Sequence, residues 1–226
     1  MAVIHRTTMT PGKLELLAAW LPTRSWYIGT AGVPELTKAG GFRLDDPQGE
    51  VGIEFMVVTD GSGDRPISYR VPVSYRGEPL DGAEQALIGT SEHGVLGRRW
   101  MYDGTRDPVV VAQLLALLQG RAEPQAQSET NMPDPSVTSY FTGAGFSTVV
   151  ASTAVDSGQH GTDVVVETTA EAEPPSESSG RLTMNVVRVL RPGRTSGARG
   201  CVTAGWRSPD GEESRGPFVV LYDAAR

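Results

Sequence analysis

The stretch "DPVVVAQLLALLQG", residues 107–120, limits what this chain can fold into more than any other segment. Asp107 is placed to accept hydrogen bonds from the first free amides. Pro108 suits the first turn, and Gly120 can take the left-handed conformation that ends a helix. Between these stops, Val109, Val110, Val111, Leu114, Leu115, Leu117 and Leu118 leave almost no polar face. A helix apolar nearly all round cannot face water, so it must be buried in the chain or covered by a partner. Burial within the chain is the expectation.

Strand signals lie upstream of that helix. "EVGIEFMVVTD" puts Val51, Ile53, Phe55 and Val57 on one face, "GSGD" supplies a turn, and "RPISYRVPVSYRG" returns with Ile67, Tyr69, Val71, Val73 and Tyr75 alternating. Pro72 has no amide to donate, which predicts an edge position or a bulge. At the start, "TPGKLELLAAWLP" predicts a helix capped by Thr10, with Pro11 in its first turn. Leu14, Leu17, Ala18 and Leu21 share one side of it, and Pro22 stops it. Residues 121–136 are polar, aperiodic and Pro-bearing, and read as a linker. Short strands follow in "SYFTGAGFSTVVAST", "TDVVVETTA", "RLTMNVVRVLRPG", "GCVTAGWRSPDG" and "GPFVVLYD", the last two joined through the "SPDG" turn. "EAEPPSESSG" has too few apolar residues to pack and reads as a loop.

Composition narrows the function classes. The 27 Gly and 16 Pro imply frequent turns and favour sheet over a helical bundle. A net charge of −7 works against nucleic-acid binding, which requires a basic face. No apolar run reaches a membrane-spanning length. "MAVIHRTTMTPGKLELLAAWLP" lacks a small-residue cleavage site and is interrupted by Glu15, so it reads as folded protein and not as a signal peptide. The single cysteine, Cys201, forbids an intrachain disulfide and fits a reducing cytoplasm. It opens the alternating run "CVTAGW", where a small buried side chain is expected. His5, His93 and His160 are far apart and match no zinc spacing, so no metal site is expected, and no cofactor motif is present.

Two groups of residues invite a chemical reading. Asp45, Asp46, Glu50 and Glu92 could supply the carboxylate pair of a glycosidase, with Trp20, Trp26, Tyr27, Trp100 and Trp206 to stack on sugars. Against this, Asp-Asp-Pro is an ordinary turn sequence. In "TSEHGVLGRRWMYDG", His93 stands next to Glu92, but adjacent residues of an extended segment point to opposite faces, so this pair cannot act as base and orienter. That stretch reads as a docking turn with Trp100 and Tyr102 packed inward. Arg98 and Arg99 are expected to pair within the chain, with Asp103 or Asp107. A ligand or partner surface of His93, Arg98, Arg99, Trp26 and Tyr27 remains as the candidate site, and no catalytic residue is assigned.

The stretches "LAAWLPTRSWYIGTAG", "YRVPVSYRGEPL", "ALIGT" and "WMYDGTRDPVVVAQLLALL" follow the order found at the start of actinobacterial maltokinases. Over roughly residues 1–120 the chain resembles stand-alone actinobacterial proteins with a maltokinase N-terminal-cap-like domain, some of which carry a loose label as glucan branching proteins. "STVV", "LTMNVVRVLRPG" and "TAGWRSPDG" resemble, more faintly, the strands that follow the cap and belong to a kinase N-lobe. The resemblance puts Asn185 where such kinases carry a nucleotide-binding lysine. The chain has two lysines, Lys13 and Lys38, both in the cap-like half. "QHGTDVVVE" offers His160 and Gly161, but Asp163 falls one position late for the His-Gly-Asp motif of related kinases, and no C-lobe is expected.

The expectation is an α+β chain. A cap-like antiparallel sheet packed against helices occupies residues 1–120, residues 121–136 form a linker, and a smaller β-rich, N-lobe-like domain occupies residues 137–226. What the resemblance implies is a cytoplasmic, non-catalytic protein that binds or regulates an enzyme or carbohydrate of trehalose, maltose or glycogen metabolism. The alternative is a carbohydrate-active enzyme or a degenerate sugar kinase acting with a partner chain. Partners are a protein or a carbohydrate, with neither nucleic acid nor membrane, and the oligomeric state is open.

Overall fold

In the computed structural model, which describes residues 8–30, 32–127, 132–143, 145–156, 161–170, 179–208 and 210–223, the segments flanking "GSGD" form adjacent antiparallel strands. The first half runs β1 (Met9–Thr10), α1 (Lys13–Trp20), β2 (Leu36–Leu44), β3 (Gly52–Asp60), β4 (Ile67–Arg76), β5 (Leu87–His93), β6 (Gly97–Asp103) and α2 (Pro108–Leu118). The second half contributes β7 (Gln125–Ala126), β8 (Thr138–Phe141), β9 (Phe146–Asp156), β10 (Thr162–Ala170), β11 (Ser179–Val186), β12 (Gly200–Arg207) and β13 (Glu213–Asp223). Two antiparallel sheets result, one of seven strands in the order β1-β5-β6-β4-β3-β2-β7 and one of six in the order β8-β12-β13-β11-β10-β9. The α+β class fits broadly, but sheet dominates. Among the described residues the α-helices are 8 and 11 residues long.

Helix α2 satisfies its all-round apolar surface by packing against both sheets. Val110, Val111, Leu114, Leu115, Leu117 and Leu118 share one core with Phe42, Ile53, Phe55 and Val57 of the first sheet and with Val164, Met184, Val202 and Phe218 of the second. Each fully buried aliphatic side chain stabilises by about 1.5–3 kcal/mol relative to exposure, so this helix is a main source of cohesion between the layers. Its start is as predicted: Asp107 Oδ1 accepts from Val109 N, with Pro108 in the first turn. Asp107 also takes a bidentate pair from Arg76 at 2.7 Å, which anchors α2 to β4.

Strand β3 is buried on both faces, which explains the nearly unbroken apolar run "IEFMVV". Ile53, Phe55 and Val57 face α2, while Met56 and Val58 join Leu17, Trp20 and Leu21 on the α1 side. Helix α1 differs from expectation at its start. Its N-cap is Gly12, whose amide donates to Glu15 at 3.2 Å, and Pro11 lies before the helix. Pro22 does not end the helical path but sits in a 3₁₀ turn, Leu21–Thr23. Pro72 lies where β6 stops pairing with β4, since that ladder covers only Val73 to Arg76. The tolerated edge position for proline is thus met halfway along an inner strand.

The polar stretch after α2 supplies β7, which pairs with Phe42 and Arg43, and Gln125 donates to Asp45 at 2.9 Å. Main-chain bonds also join the layers, from Arg70 N to Arg188 O at 2.8 Å and from Leu190 N to Ser68 O at 2.9 Å. The "SPDG" hairpin is present as β12–β13, and Cys201 is buried within it.

Candidate functional site

Strands β5 and β6 form a hairpin, and its tip carries three of the five candidate surface residues. His93 Nδ1 accepts from the amides of Val95 and Leu96 at 3.3 and 3.1 Å, which commits that nitrogen to holding the turn. Gly97 adopts φ 69°, the left-handed region that a tight turn needs here. Arg98 pairs with Glu92 at 2.8 Å across the hairpin, and Arg99 donates to the Leu96 carbonyl at 3.0 Å. The arginines do pair within the chain, but with Glu92 and Leu96. Asp103 and Asp107, the expected partners, are taken by Arg188 and Arg76. Tyr102 is buried and Trp100 half-buried, as their expected inward packing requires, while the tip itself, residues 94–98, is exposed.

Trp26 must be withdrawn from any surface, because it is fully buried. It packs edge-on to Trp20 at 5.8 Å and against Tyr69 at 6.1 Å, with the Arg188 guanidinium 4.8 Å over its ring. Tyr27 is half-buried, 5.3 Å from Tyr69, and donates to Asp60 at 2.6 Å. Burial and the Asp60 carboxylate push the Tyr27 phenol well above its ordinary pKa, and burial pushes Tyr69 up to about 12. Neither phenol is poised to give up a proton near neutrality.

The carboxylates proposed for sugar chemistry are not assembled. Asp46 accepts from the amides of Gln48, Glu50 and Val51 at 3.0–3.1 Å, building the turn expected of Asp-Asp-Pro. Asp45 binds Gln125, Glu50 is exposed, and Glu92 is on the distant hairpin paired with Arg98. Asn185, which the resemblance aligns with a kinase lysine, donates to Asp163 at 2.6 Å across β10 and β11. His160 and His5 lie outside the described residues. Among the described residues no group of three or more His, Cys, Asp and Glu side chains could hold a metal ion.

Two buried charge clusters escaped the sequence reading. On the α1 side of the first sheet, Glu54 accepts from Lys13 at 2.5 Å, Tyr75 at 2.7 Å and Gln127 at 2.6 Å. Burial works against its charge, but the Lys13 ammonium and these hydrogen bonds prevail and hold its pKa below the usual carboxylate range. Between the sheets, Arg188 donates to Asp103 at 2.5 Å, Thr162 at 2.8 Å and Thr105 at 3.2 Å. Arg70 lies nearby, gives both Nε and Nη2 to the Val187 carbonyl, and sits 5.2 Å over Phe218. Burial, and then the Arg188 charge, push its pKa down. A single charged residue inside an alternating strand, such as Glu54 in "IEFMVV" or Arg70 in "SYRVPV", was the one available signal.

Both clusters bind elements together and present no open reacting group, while the hairpin tip presents a self-paired surface. Against this geometry, residues 20–107 match the family model described as the maltokinase N-terminal cap domain. The match runs from the end of α1 through β2–β6 to the residue that caps α2. It lies within the segment whose order of motifs resembles the start of maltokinases. Residues 20–107 are thus similar to maltokinase N-terminal cap domains, in keeping with the cap-like resemblance of the first half.

Proposed function

We propose that this chain is a non-catalytic, cap-like protein that binds or regulates an enzyme, or binds a carbohydrate, in trehalose, maltose or glycogen metabolism. The cap-domain match over residues 20–107 carries the reading, since it ties the chain to maltose chemistry. Its catalytic silence is supported by how the side chains are used. Asn185 stands at the nucleotide-lysine position and is spent on Asp163, and both lysines precede β3. The carboxylates suited to glycoside cleavage build a turn and a surface pair. In this reading residues 137–226 form the N-lobe-like unit, and the protein works in the cytoplasm without nucleic acid or membrane.

The test has two arms on the full chain. Calorimetric titration with maltose, trehalose and soluble glycogen measures direct carbohydrate binding. Addition of the chain to a maltokinase catalytic chain deprived of its own cap measures regulation. Saturable binding or a changed kinase rate in either arm, with no ATP turnover by this chain alone, is the expected result. Silence in both arms would overturn the proposal, as would ATP turnover by this chain alone that disappears in Asn185→Ala or His93→Ala.

A further inference from the structure

A groove of about 820 Å³ opens where the two sheets meet, within the size range of small-molecule sites. Its walls are the N-terminal part of β2 and the ends of β12 and β13 that flank their hairpin turn. Both walls are sheet edges at this point. Strand β7 covers β2 only at Phe42 and Arg43, and β8 covers β12 only from Gly200 to Thr203. Residues 36–41 and 204–207 therefore have a ladder partner on one side only among the described residues. Their remaining edge amides and carbonyls are directional groups that call for polar partners.

The two edges nearly touch at Gly40. A Cβ added there would lie 3.4 Å from Trp206 Cα and 3.6 Å from the Gly205 carbonyl oxygen. An inserted β-strand needs about 4.7–4.9 Å on each side, so a peptide cannot thread between these edges. A small molecule resting in the open part of the groove fits.

Charge decides which kind. Lys38, Arg207 and Arg215 line the groove against one carboxylate, Glu213, in a chain whose net charge is −7. Arg215 is held by Thr138 Oγ1 at 2.7 Å and by the Ser136 carbonyl, which fixes that wall. Lys38 and Arg207 are exposed and form no hydrogen bond among the described residues, and the Lys38 charge also acts on the Glu54 carboxylate. Trp206 borders the groove, but its indole is buried in the core against Phe218 at 6.2 Å. Exposed cations bind phosphate oxygens through charge-assisted hydrogen bonds, and strand-edge groups suit a run of hydroxyls.

We propose that this groove binds a phosphorylated sugar, with the phosphate at Lys38 and Arg207 and the hydroxyls on the β2 and β12 edges. The choice of a sugar rests on the carbohydrate arm of the function proposed above; the choice of an anion rests on the groove itself. Glucose 1-phosphate, glucose and inorganic phosphate are titrated separately into the full chain and into Arg207→Ala, Lys38→Ala and the control Arg98→Ala. Glucose 1-phosphate is expected to bind saturably and more tightly than either fragment. Arg207→Ala and Lys38→Ala should each weaken it by roughly tenfold or more, with thermal unfolding unchanged. Arg98→Ala should bind as the parent does.

No saturable binding of glucose 1-phosphate at millimolar concentration would overturn the proposal, as would affinity unchanged in Arg207→Ala. Inorganic phosphate binding as tightly as the ester would overturn the sugar assignment. Glycogen binding or kinase regulation that survives Arg207→Ala while glucose 1-phosphate fails to bind would remove the groove and leave the broader function standing.

Discussion

Replacing Asp103 with Asn tests the charge pair that bolts the two sheets together. Arg188 is fully buried, and among the described residues Asp103 is its only carboxylate partner, at 2.5 Å. The substitution keeps an oxygen able to accept from Thr105 N, as Asp103 Oδ1 does at 3.1 Å, so the local turn is preserved while the charge and the Oδ2 acceptor for Arg188 are lost. A buried guanidinium is then left with the two threonine hydroxyls, Thr105 and Thr162, and Trp26 as its company. Removing one member of a buried pair costs about 3–5 kcal/mol, and the retained hydrogen bond places this case near the lower figure. For a chain of this length that corresponds to a fall in Tm of roughly 6–12 °C. Urea unfolding followed by tryptophan fluorescence reads the change directly, because Trp26 lies 4.8 Å beneath the Arg188 guanidinium. Adding Arg188→Met should restore about 2 kcal/mol relative to the sum of the single losses, since the unpaired buried charge is then gone. A loss below about 1 kcal/mol, or single effects that add to within about 0.5 kcal/mol, would show that the pair does not act as described.

Glu54→Gln should destabilise the protein at neutral pH by about 2 kcal/mol, the scale of a hydrogen-bonded charge lost to a partly exposed partner. Because the folded-state pKa of Glu54 is depressed, its contribution is fully present above the unfolded value near 4.3 and is lost as pH falls through the lower folded value. The difference in stability between parent and variant should therefore shrink below about pH 4; a difference that stays constant down to pH 2 would contradict this. Gly41→Ala places a Cβ 2.1 Å from the Phe55 carbonyl oxygen at φ 129°, and is expected to cost more than about 2 kcal/mol or to abolish soluble expression; near-neutral stability would refute the strand geometry. Arg98→Ala removes a pair whose side chains are 63% and 59% exposed, so chemical denaturation should show a change within about 0.5 kcal/mol.

The elements most legible in the sequence were those whose cause is local. Helix α2 was readable because Asp107, Pro108 and Gly120 mark its ends and its apolar residues follow the helical period. Strands β3 and β4 and the β12–β13 hairpin were readable from alternation and turn residues. The inward packing of Tyr102 in the hairpin of His93 was legible because the segment leads into the buried, capped helix, whereas its tip, residues 94–98, is exposed. The error at Trp26 has the opposite origin. "TRSWYIG" follows no period, so nothing local shows that Arg188, 162 positions away in the chain, caps the indole. Arg98 was assigned the wrong carboxylate because Asp103 lies farther along the same strand, whereas Glu92 faces Arg98 across the hairpin.

What the sequence by itself determined is a sheet-rich chain with one obligately buried helix and a net negative charge. These follow from composition, period and the φ and ψ preferences of a few residues, all of which act over a turn or a strand pair. Only the tertiary structure decided that α2 packs against both sheets, that Arg188 and Asp103 meet from 85 positions apart, and that β7 and β8 stop short. The physical reason is that burial and pairing depend on which layers meet and in what register. The groove beside Trp206 exists because two strands outrun their neighbours, a difference of lengths that no local preference encodes.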